Sequence, residues 1–306
     1  MKSSLATAPE MESAPGPNLG AQDHAPGRSA GSADADGTPA LSASIAHLLV
    51  SKSALHAWHA HPRLNPNYQQ TESAEFDYGR AAHAVLLEGS EAGLYVIEAD
   101  DWRKKEAKEA RENARKAGRI PLLHRQVMRV RAMVAAAREY VAASEIFGIF
   151  ENGTPEHSLQ WMEGPTQCRS RLDWLRSDNA MVLDYKTATS ANPEAFLRGA
   201  IAYGYTMQEA FYRRGVKAVY GAEPKFVFLV QEKEPPYACS LIAFDPAMQE
   251  MGDRQVQYAM AIWQQCMAMD HWSGYPPRIA YLEPPAWYAA RTEEWLDEAL
   301  DEGGQA

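Results

Sequence analysis

The stretch RSRLDWLRSDNAMVLDYKT, residues 169–187, reads as two short strands on either side of Ser177-Asp178-Asn179. Small polar residues of this kind favour a tight reversal of the chain. If the turn is centred on Asp178 and Asn179, residues whose numbers sum to 357 lie opposite each other, and Asp173 faces Asp184. The stretch therefore predicts an antiparallel hairpin that carries two facing carboxylates.

The side chains of this hairpin alternate between two faces. Lys186 shares the face of Asp184, and the opposite face holds three residues that we expect in the core, Met181, Leu183 and Tyr185. Two carboxylates that face each other repel unless a positive charge lies between them. A divalent cation held by Asp173 and Asp184 is one interpretation, and an exposed Asp/Lys surface that aids solubility is the other.

The same residue types point to a particular chemistry. Carboxylate oxygens suit Mg²⁺ or Mn²⁺, and a site with few protein ligands keeps positions for water and for a phosphate oxygen. Such a cation lowers the pKa of bound water and neutralises charge on phosphorus. Lys186 beside that water would orient or deprotonate it and offset the transition-state charge. The grouping predicts phosphodiester hydrolysis.

The rest of the chain predicts an α/β fold, a mixed central β-sheet flanked by helices. Strand patterns occur at residues 157–161, 168–175, 181–187, 225–230 and 237–244, with a short one at 95–97. Helical patterns occur at residues 42–61, 76–88, 121–150, 193–215 and 246–269.

The composition divides the chain into three segments. Residues 1–40 contain hardly a large apolar side chain, and we predict a disordered leader. Residues 41–282 are long enough for one substantial core and are predicted to form a single domain. Residues 283–306 read as a short acidic amphipathic helix, either docked or loose. The leader and this last segment carry −3 and −6 of the net charge of −10, so the acidic balance does not argue against a polyanionic partner.

Residues 101–150 are the most positive stretch, with twelve basic and six acidic side chains. Residues 103–119 fit two interpretations: a solvated helix with i,i+4 ion pairs such as Glu112 to Lys116, or an arm that contacts phosphates. The second interpretation makes DNA-binding candidates of six residues, Arg103, Lys104, Lys105, Lys108, Arg111 and Arg115.

Several classes of protein are excluded. No apolar run is long enough for a membrane span, and no export signal is visible, so a cytoplasmic location is expected. The three cysteines are isolated, which excludes a disulfide framework, a zinc ribbon and a four-cysteine iron–sulfur cluster. The phosphate-binding pattern G-x-x-x-x-G-K-[ST] is absent, so the chain does not itself hydrolyse ATP.

Four motifs in order resemble one superfamily. Asp173-x10-Asp184-x-Lys186 is similar to the PD-(D/E)xK nuclease core, with Leu172 in place of the proline. Gln208 to Tyr212 (QEAFY) resembles the Q-x-x-x-Y signature of its RecB-like branch, and GRAAH, residues 79–83, resembles the G-x-x-x-H helix of that branch. YGYTMQEAFYRRG and PKFVFLVQEKEPPY, together with DYKTATS, resemble the C-terminal nuclease domain of RecE-type exonucleases (the exonuclease VIII family) over about residues 42–275.

The resemblance implies roles for individual residues. Metal ligands would be His83, Asp173, Asp184 and the carbonyl of Tyr185, and Lys186 would be the catalytic lysine. Glu156 matches an acidic position before the hairpin, and Gln208 and Tyr212 lie on one helix face over the active site. Without the family, His83 would be read as a packed core residue, Glu156 as a strand-entry residue, and Gln208 with Tyr212 as a surface pair.

The resemblance also implies an activity: a Mg²⁺-dependent double-strand DNA exonuclease, with Mn²⁺ as a substitute, that digests 5′ to 3′ and leaves single-stranded 3′ overhangs for phage-type recombination. The family implies a homo-oligomeric ring, a tetramer in the RecE case, acting on double-stranded DNA ends with a single-strand annealing recombinase as partner. The alternatives are a structure-specific or restriction-like endonuclease of the same fold and a catalytically silent DNA-binding protein.

Overall fold

A five-stranded mixed sheet forms the centre of the computed structural model, which describes the backbone of residues 37–69 and 74–303 and the side chains of residues 37–69 and 77–299. Its strands are β3 (Gly153–Glu163), β4 (Thr166–Arg176), β5 (Met181–Ala188), β6 (Lys225–Glu232) and β7 (Cys239–Ile242), in spatial order β3-β4-β5-β6-β7. Within this sheet, as far as the structure describes the chain, the β5–β6 pair is the parallel one and the other pairs are antiparallel. The predicted α/β class, with a mixed sheet flanked by helices, is confirmed.

The two central strands are buried on both faces, as a parallel pair covered by helices requires. The odd-numbered residues Met181, Leu183 and Tyr185 pack into one helical layer, as predicted, and Val182 packs into the other. The parallel connection needs a long crossover, which helices α6 (Pro193–Ala202) and α7 (Tyr205–Tyr220) supply. Because side chains alternate along a strand, those of Asp184 and Lys186 lie on the same face of β5 as that of Val182. This is the face that α7 covers.

One layer contains α1 (Ala43–Ser51), α2 (Ala54–Ala60), α6, α7 and α8 (Pro246–Met269). Two helices predicted as continuous are interrupted. The helix predicted for residues 42–61 breaks at Lys52, because the Ser53 hydroxyl accepts from the His56 N–H and starts α2. The helix predicted for residues 193–215 breaks at Gly204, where φ is +71° and a Cβ would lie 2.2 Å from the His47 ring.

The opposite layer contains α3 (Ala74–His83), a π-helical turn (Ala84–Glu88) and α5 (His124–Ala142). Gly89, in the left-handed conformation, ends the π-helical turn, as the sequence predicted for this helix. The predicted helix over residues 121–150 is corrected at its start: Ile120–Leu123 form β2, which pairs in parallel with β1 (Leu94–Ile97). Helix α4 (Lys105–Lys116) rests on β2 through the alanines on its buried side, Ala107 and Ala114.

Contacts divide the chain into two compact units, residues 1–272 and 273–306. The second unit contains helix α9 (Ala286–Gly303), within the segment predicted as an acidic helix. We predicted a disordered leader over residues 1–40. Residues 1–36 of this segment lie outside the described residues. Among the described residues, none of the helices combines the length and apolar character that crossing a bilayer requires.

Candidate active site

The site forms where β4 leaves β5. Trp174 pairs with Leu183 and Leu175 with Val182, so the predicted register is confirmed. The pairing then ends, and the predicted direct opposition of Asp173 and Asp184 does not occur. Instead the Tyr185 N–H donates to Asp173 Oδ2 at 2.8 Å. Because the strands diverge here, a side-chain carboxylate occupies the place of a backbone partner.

The β3–β4 pair continues past this point as an arm without β5. Leu41 takes part of the place that β5 has left: its N–H donates to the Gln167 carbonyl at 2.8 Å, and its carbonyl accepts from the Arg169 N–H at 2.9 Å. Within the arm, Glu156 lies opposite Asp173 and has a positive φ of 50°, an uncommon conformation for a residue other than glycine. Regular pairing at Asp173 is therefore lost on both sides, towards β5 and towards Glu156 of β3.

Three side chains from three elements meet beside this break. His83, the last residue of α3, places Nε2 2.8 Å from Asp173 Oδ2 and Nδ1 3.1 Å from Glu156 Oε1. Their possible ligand atoms all lie within 4.8 Å of one another. Burial of the His83 ring opposes its protonation, but the charges and hydrogen bonds of Asp173 and Glu156 outweigh that effect and raise its pKa to about 10. The imidazolium thus balances the two carboxylates.

These residues fit a divalent metal ion. Carboxylates are the ligands of Mg²⁺ and Mn²⁺, and an imidazole is compatible with Mn²⁺. The acids form a negative cluster whose charge is offset only by the proton on His83 and by neighbouring cations, and metal binding would release that proton. Glu156, predicted as a catalytic acid, lies among the possible ligands together with His83 and Asp173.

Asp184 and Lys186 form the second half of the site. Both are buried, with 0% and 1% of their surfaces exposed, and the Lys186 ammonium forms an ion pair with Asp184 Oδ1. Burial, followed by the charge of Asp173, raises the pKa of Asp184 to about 6, and Lys186 counteracts part of this shift. The ammonium also lies 4.9 Å from the centre of the Tyr205 ring.

A small cavity adjoins Lys186. The wall includes the lysine itself and several hydroxyl-bearing residues, namely Thr187, Thr189, Ser190, Tyr203 and Tyr205. Hydroxyl groups can both donate to and accept from water. The cavity beside the lysine therefore has hydroxyl groups in a wall that also includes apolar residues such as Ala195 and Phe196.

Helix α7 supports Asp184 through the predicted Gln208 and Tyr212. Gln208 Nε2 donates to Asp184 Oδ2 at 3.0 Å and to the Tyr212 hydroxyl at 3.3 Å. Both side chains are buried, so the interpretation of this pair as a surface feature is wrong. The structure places Gln208 against a carboxylate and Tyr212 against Gln208, which makes them orienting groups for Asp184.

Tyr185 has two separate connections. Its N–H contacts Asp173, as described, and its phenol points into the opposite layer, where it donates to Gln231 Oε1 at 2.6 Å. The backbone of Tyr185 thus lies between Asp184 and Lys186 at the site. Its carbonyl remains a predicted ligand.

The basic candidates of α4 fall into two groups. Arg103, Lys104, Lys105 and Lys108 are exposed. Arg111 stacks over Trp102 at 5.1 Å, and Arg115 forms a 2.5 Å ion pair with Asp77 of α3, with side chains 9% and 3% exposed. Arg111 and Arg115 therefore hold α4 in place, which neither the solvated-helix nor the phosphate-binding interpretation predicted, while the four exposed residues remain candidates for phosphate contact.

Sequence reasoning missed two neighbours of the site. Arg171 Nε lies 2.7 Å from Glu156 Oε2, and Tyr205 lies against Lys186. Arg171 could have been found, because it precedes Asp173 by two residues and so shares its strand face. Tyr205 could not, since its position depends on the helix break at Gly204.

Among solved structures, a protein described as "Putative exonuclease" from Eubacterium rectale matches with a TM-score of 0.56 and 13% identity, over 81% of this chain and 90% of that chain. This likeness supports the fold alone. SSO0001 matches with a TM-score of 0.26 and 13% identity, over 63% of this chain and 88% of that chain, and carries no argument. No curated protein matches.

The family description agrees with the site. A family described as "PDDEXK-like domain of unknown function (DUF3799)" matches residues 51–285, more than half of the chain. The matched range contains α3, the β4–β5 hairpin and α7, which supply the site residues. The chain therefore belongs to the family of PDDEXK-like domains of unknown function, DUF3799.

Proposed function

We propose that this protein is a Mg²⁺-dependent exonuclease that hydrolyses double-stranded DNA from its ends, 5′ to 3′, and leaves 3′ single-stranded overhangs. One observation carries the proposal: a cluster of His83, Glu156 and Asp173 adjoins the buried Asp184–Lys186 pair where β4 leaves β5. Carboxylates, an imidazole and an ammonium group together match metal-assisted phosphodiester hydrolysis.

His83, Glu156, Asp173 and Asp184 would hold the metal ion, which when bound supplies an activated water and neutralises phosphate charge. Gln208 keeps the Asp184 carboxylate in one orientation by donating to Oδ2, while Oδ1 faces Lys186. The arrangement therefore fixes both oxygens of this buried acid before substrate arrives.

Lys186 is the group best placed to act on the reacting phosphate. Its ammonium contacts Asp184 and lies over the Tyr205 ring, and the residue lines the small cavity. In a buried position a cation interacts strongly with charge that develops during the reaction, because water screens it little. Lys186 would position the attacking water and stabilise the negative charge on the phosphate oxygens.

Attack from DNA ends, the 5′ to 3′ direction and a role in phage-type recombination rest on the motif resemblance to RecE-type exonucleases. The name of the Eubacterium rectale protein, whose fold is similar, supports the same class. A tetrameric ring and an annealing recombinase as partner belong to this proposal. A ring would compensate for the weak attraction between one nearly neutral core and a polyanion.

The test is incubation of an end-labelled linear duplex and the same DNA as a closed circle, each with Mg²⁺, Mn²⁺ or EDTA. We expect metal-dependent loss of label from the linear form and no cleavage of the circle. Cleavage of the circle would identify an endonuclease. Asp184→Asn should abolish hydrolysis, while Asp178→Asn, a matched change at the exposed hairpin turn, should retain it. Absence of any metal-dependent hydrolysis by the unmodified protein would refute the proposal and favour a silent DNA-binding protein.

A further inference from the structure

The arm formed by β3 and β4 has one covered and one open face. Leu159 and Trp161 are buried in the layer of α7 and α8. The intervening residues Ser158, Gln160 and Met162 are exposed. This is the alternation of a strand with water on one side, here next to the candidate site.

The open face of the arm is basic along β4. Arg171 pairs with Ser158 and Arg169 with Gln160, and directly opposite residues of an antiparallel pair share a face. Arg171 and Arg169 therefore share that face, with side chains about 6.7 Å apart along the strand. Arg171 has 41% of its side chain exposed. The two arginines therefore precede the candidate metal ligand Asp173 along the strand.

Arg171 is also joined to the metal cluster. Its guanidinium pairs with Glu156 Oε2 at 2.7 Å, and the other oxygen of Glu156 lies 3.1 Å from His83 Nδ1. A guanidinium has five N–H donors in a fork, so contact with one carboxylate leaves donors for a second anion. Any phosphate group that approaches the cluster along the open face would meet Arg171.

The charges around the cluster make this position important. Glu156, Asp173 and Asp184 repel a polyanion, and the ammonium that could offset them, on Lys186, is buried. The cations on the same strand face are Arg171, which is exposed, and Arg169, which is partly exposed, and among the described residues the Arg169 side chain has no ion-pair partner. These two arginines are thus complementary to a nucleic-acid backbone at the edge of the site.

We propose that Arg171 and Arg169 bind successive phosphates of the DNA strand beside the scissile bond, so that the open face of the β3–β4 arm guides this strand into the site. The proposal rests on the proposed nuclease function and adds to it a DNA contact surface. Arginine is suited to this role because its planar fork matches phosphate oxygens.

The test uses Arg171→Ala and Arg169→Ala, with Arg176→Ala as the control. Arg176 lies on the same strand, has a similar exposure of 34%, and pairs through Nε with Asp178 at 2.7 Å, but it is located at the hairpin turn. Binding of a fluorescent duplex is measured by anisotropy at several salt concentrations with Ca²⁺ in place of Mg²⁺, after a gel shows that the duplex stays intact. Mn²⁺ binding is measured by calorimetry.

For Arg171→Ala and Arg169→Ala we expect DNA affinity to fall about tenfold or more. We also expect the slope of log affinity against log salt to be smaller in magnitude by about 1. Arg171→Lys should restore part of the affinity, and Arg176→Ala should bind as the unmodified protein does. If Arg171→Ala binds DNA like the control, or if only its Mn²⁺ affinity falls, the phosphate assignment is wrong although the nuclease function stands. Failure of the unmodified protein to bind or cut DNA would refute both proposals.

Discussion

The ion pair between Arg115 and Asp77 predicts that part of the basic helix α4 stabilises the fold. The two groups are 2.5 Å apart, and their side chains are 9% and 3% exposed. Replacement of Arg115 by glutamine would leave the Asp77 carboxylate buried without its main partner. Loss of one member of a buried pair costs about 3–5 kcal/mol. Arg80, 3.9 Å from Asp77 Oδ1, compensates in part, so we expect the lower end, about 3 kcal/mol.

For a domain of this size the loss corresponds to a melting temperature lower by about 6–12 °C. The free energy of unfolding is measured by urea denaturation monitored by circular dichroism. Arg103→Gln is the control, since its side chain is 92% exposed and surface pairs contribute little. The double variant Asp77→Asn/Arg115→Gln should recover much of the stability, because the buried carboxylate charge is then removed as well. Equal denaturation midpoints for Arg115→Gln and Arg103→Gln would refute this reasoning.

Three other changes have defined outcomes. Lys186→Met should abolish hydrolysis in the end-labelled assay while circular dichroism stays unchanged, because the proposed mechanism places the ammonium at the reacting phosphate. In Glu209, burial raises the carboxyl pKa to about 7 from its ordinary 4.5, so stability should fall as pH rises between these values, and Glu209→Gln should remove this fall, on the order of 3 kcal/mol in urea denaturation. Gly252→Ala should cost about 1–3 kcal/mol in the same assay, because the added Cβ would lie 2.3 Å from the Thr206 carbonyl oxygen.

Each of these changes has a matching control. Arg176→Met should keep full activity where Lys186→Met loses it. Unmodified protein and Glu209→Gln should differ more at pH 8 than at pH 5, and equal differences at both would show that this carboxyl does not titrate as described. Gly93→Ala should be nearly neutral, because no atom lies within 4 Å of its added Cβ. A Gly252→Ala protein as stable as Gly93→Ala would contradict the close helix contact.

The hairpin register was predictable because it depends on local rules. Small turn residues at Asp178 and Asn179 fix which residues face each other, and Trp174 pairs with Leu183 accordingly. The divergence of β4 from β5 was not predictable, since it accompanies a positive φ at Glu156 and the pairing of Leu41 with β4. Sequence periodicity contains no signal for a strand that changes its partner.

The functional candidates were also predictable only in part. The motif resemblance brought together His83, Asp173, Asp184 and Lys186, although α3 lies far from the hairpin along the chain. The role of Arg115 could not be inferred, because its partner is 38 residues away and a basic run looks alike whether buried or solvated. Long-range contacts decide which basic side chains at α4 are exposed and which are held by other parts of the fold, and the sequence does not reveal these contacts.

The pairing of Leu41 with β4 has a practical consequence for the design of shortened forms of this protein. Leu41 satisfies the Gln167 carbonyl and the Arg169 N–H on the edge that β5 does not cover. A fragment that starts at α1 would present that edge unpaired, and exposed strand edges recruit other chains. Truncated forms for crystallisation should therefore retain residue 41. Removal of this single buried leucine would leave part of the β4 edge unpaired and able to pair with other chains, which leads to aggregation.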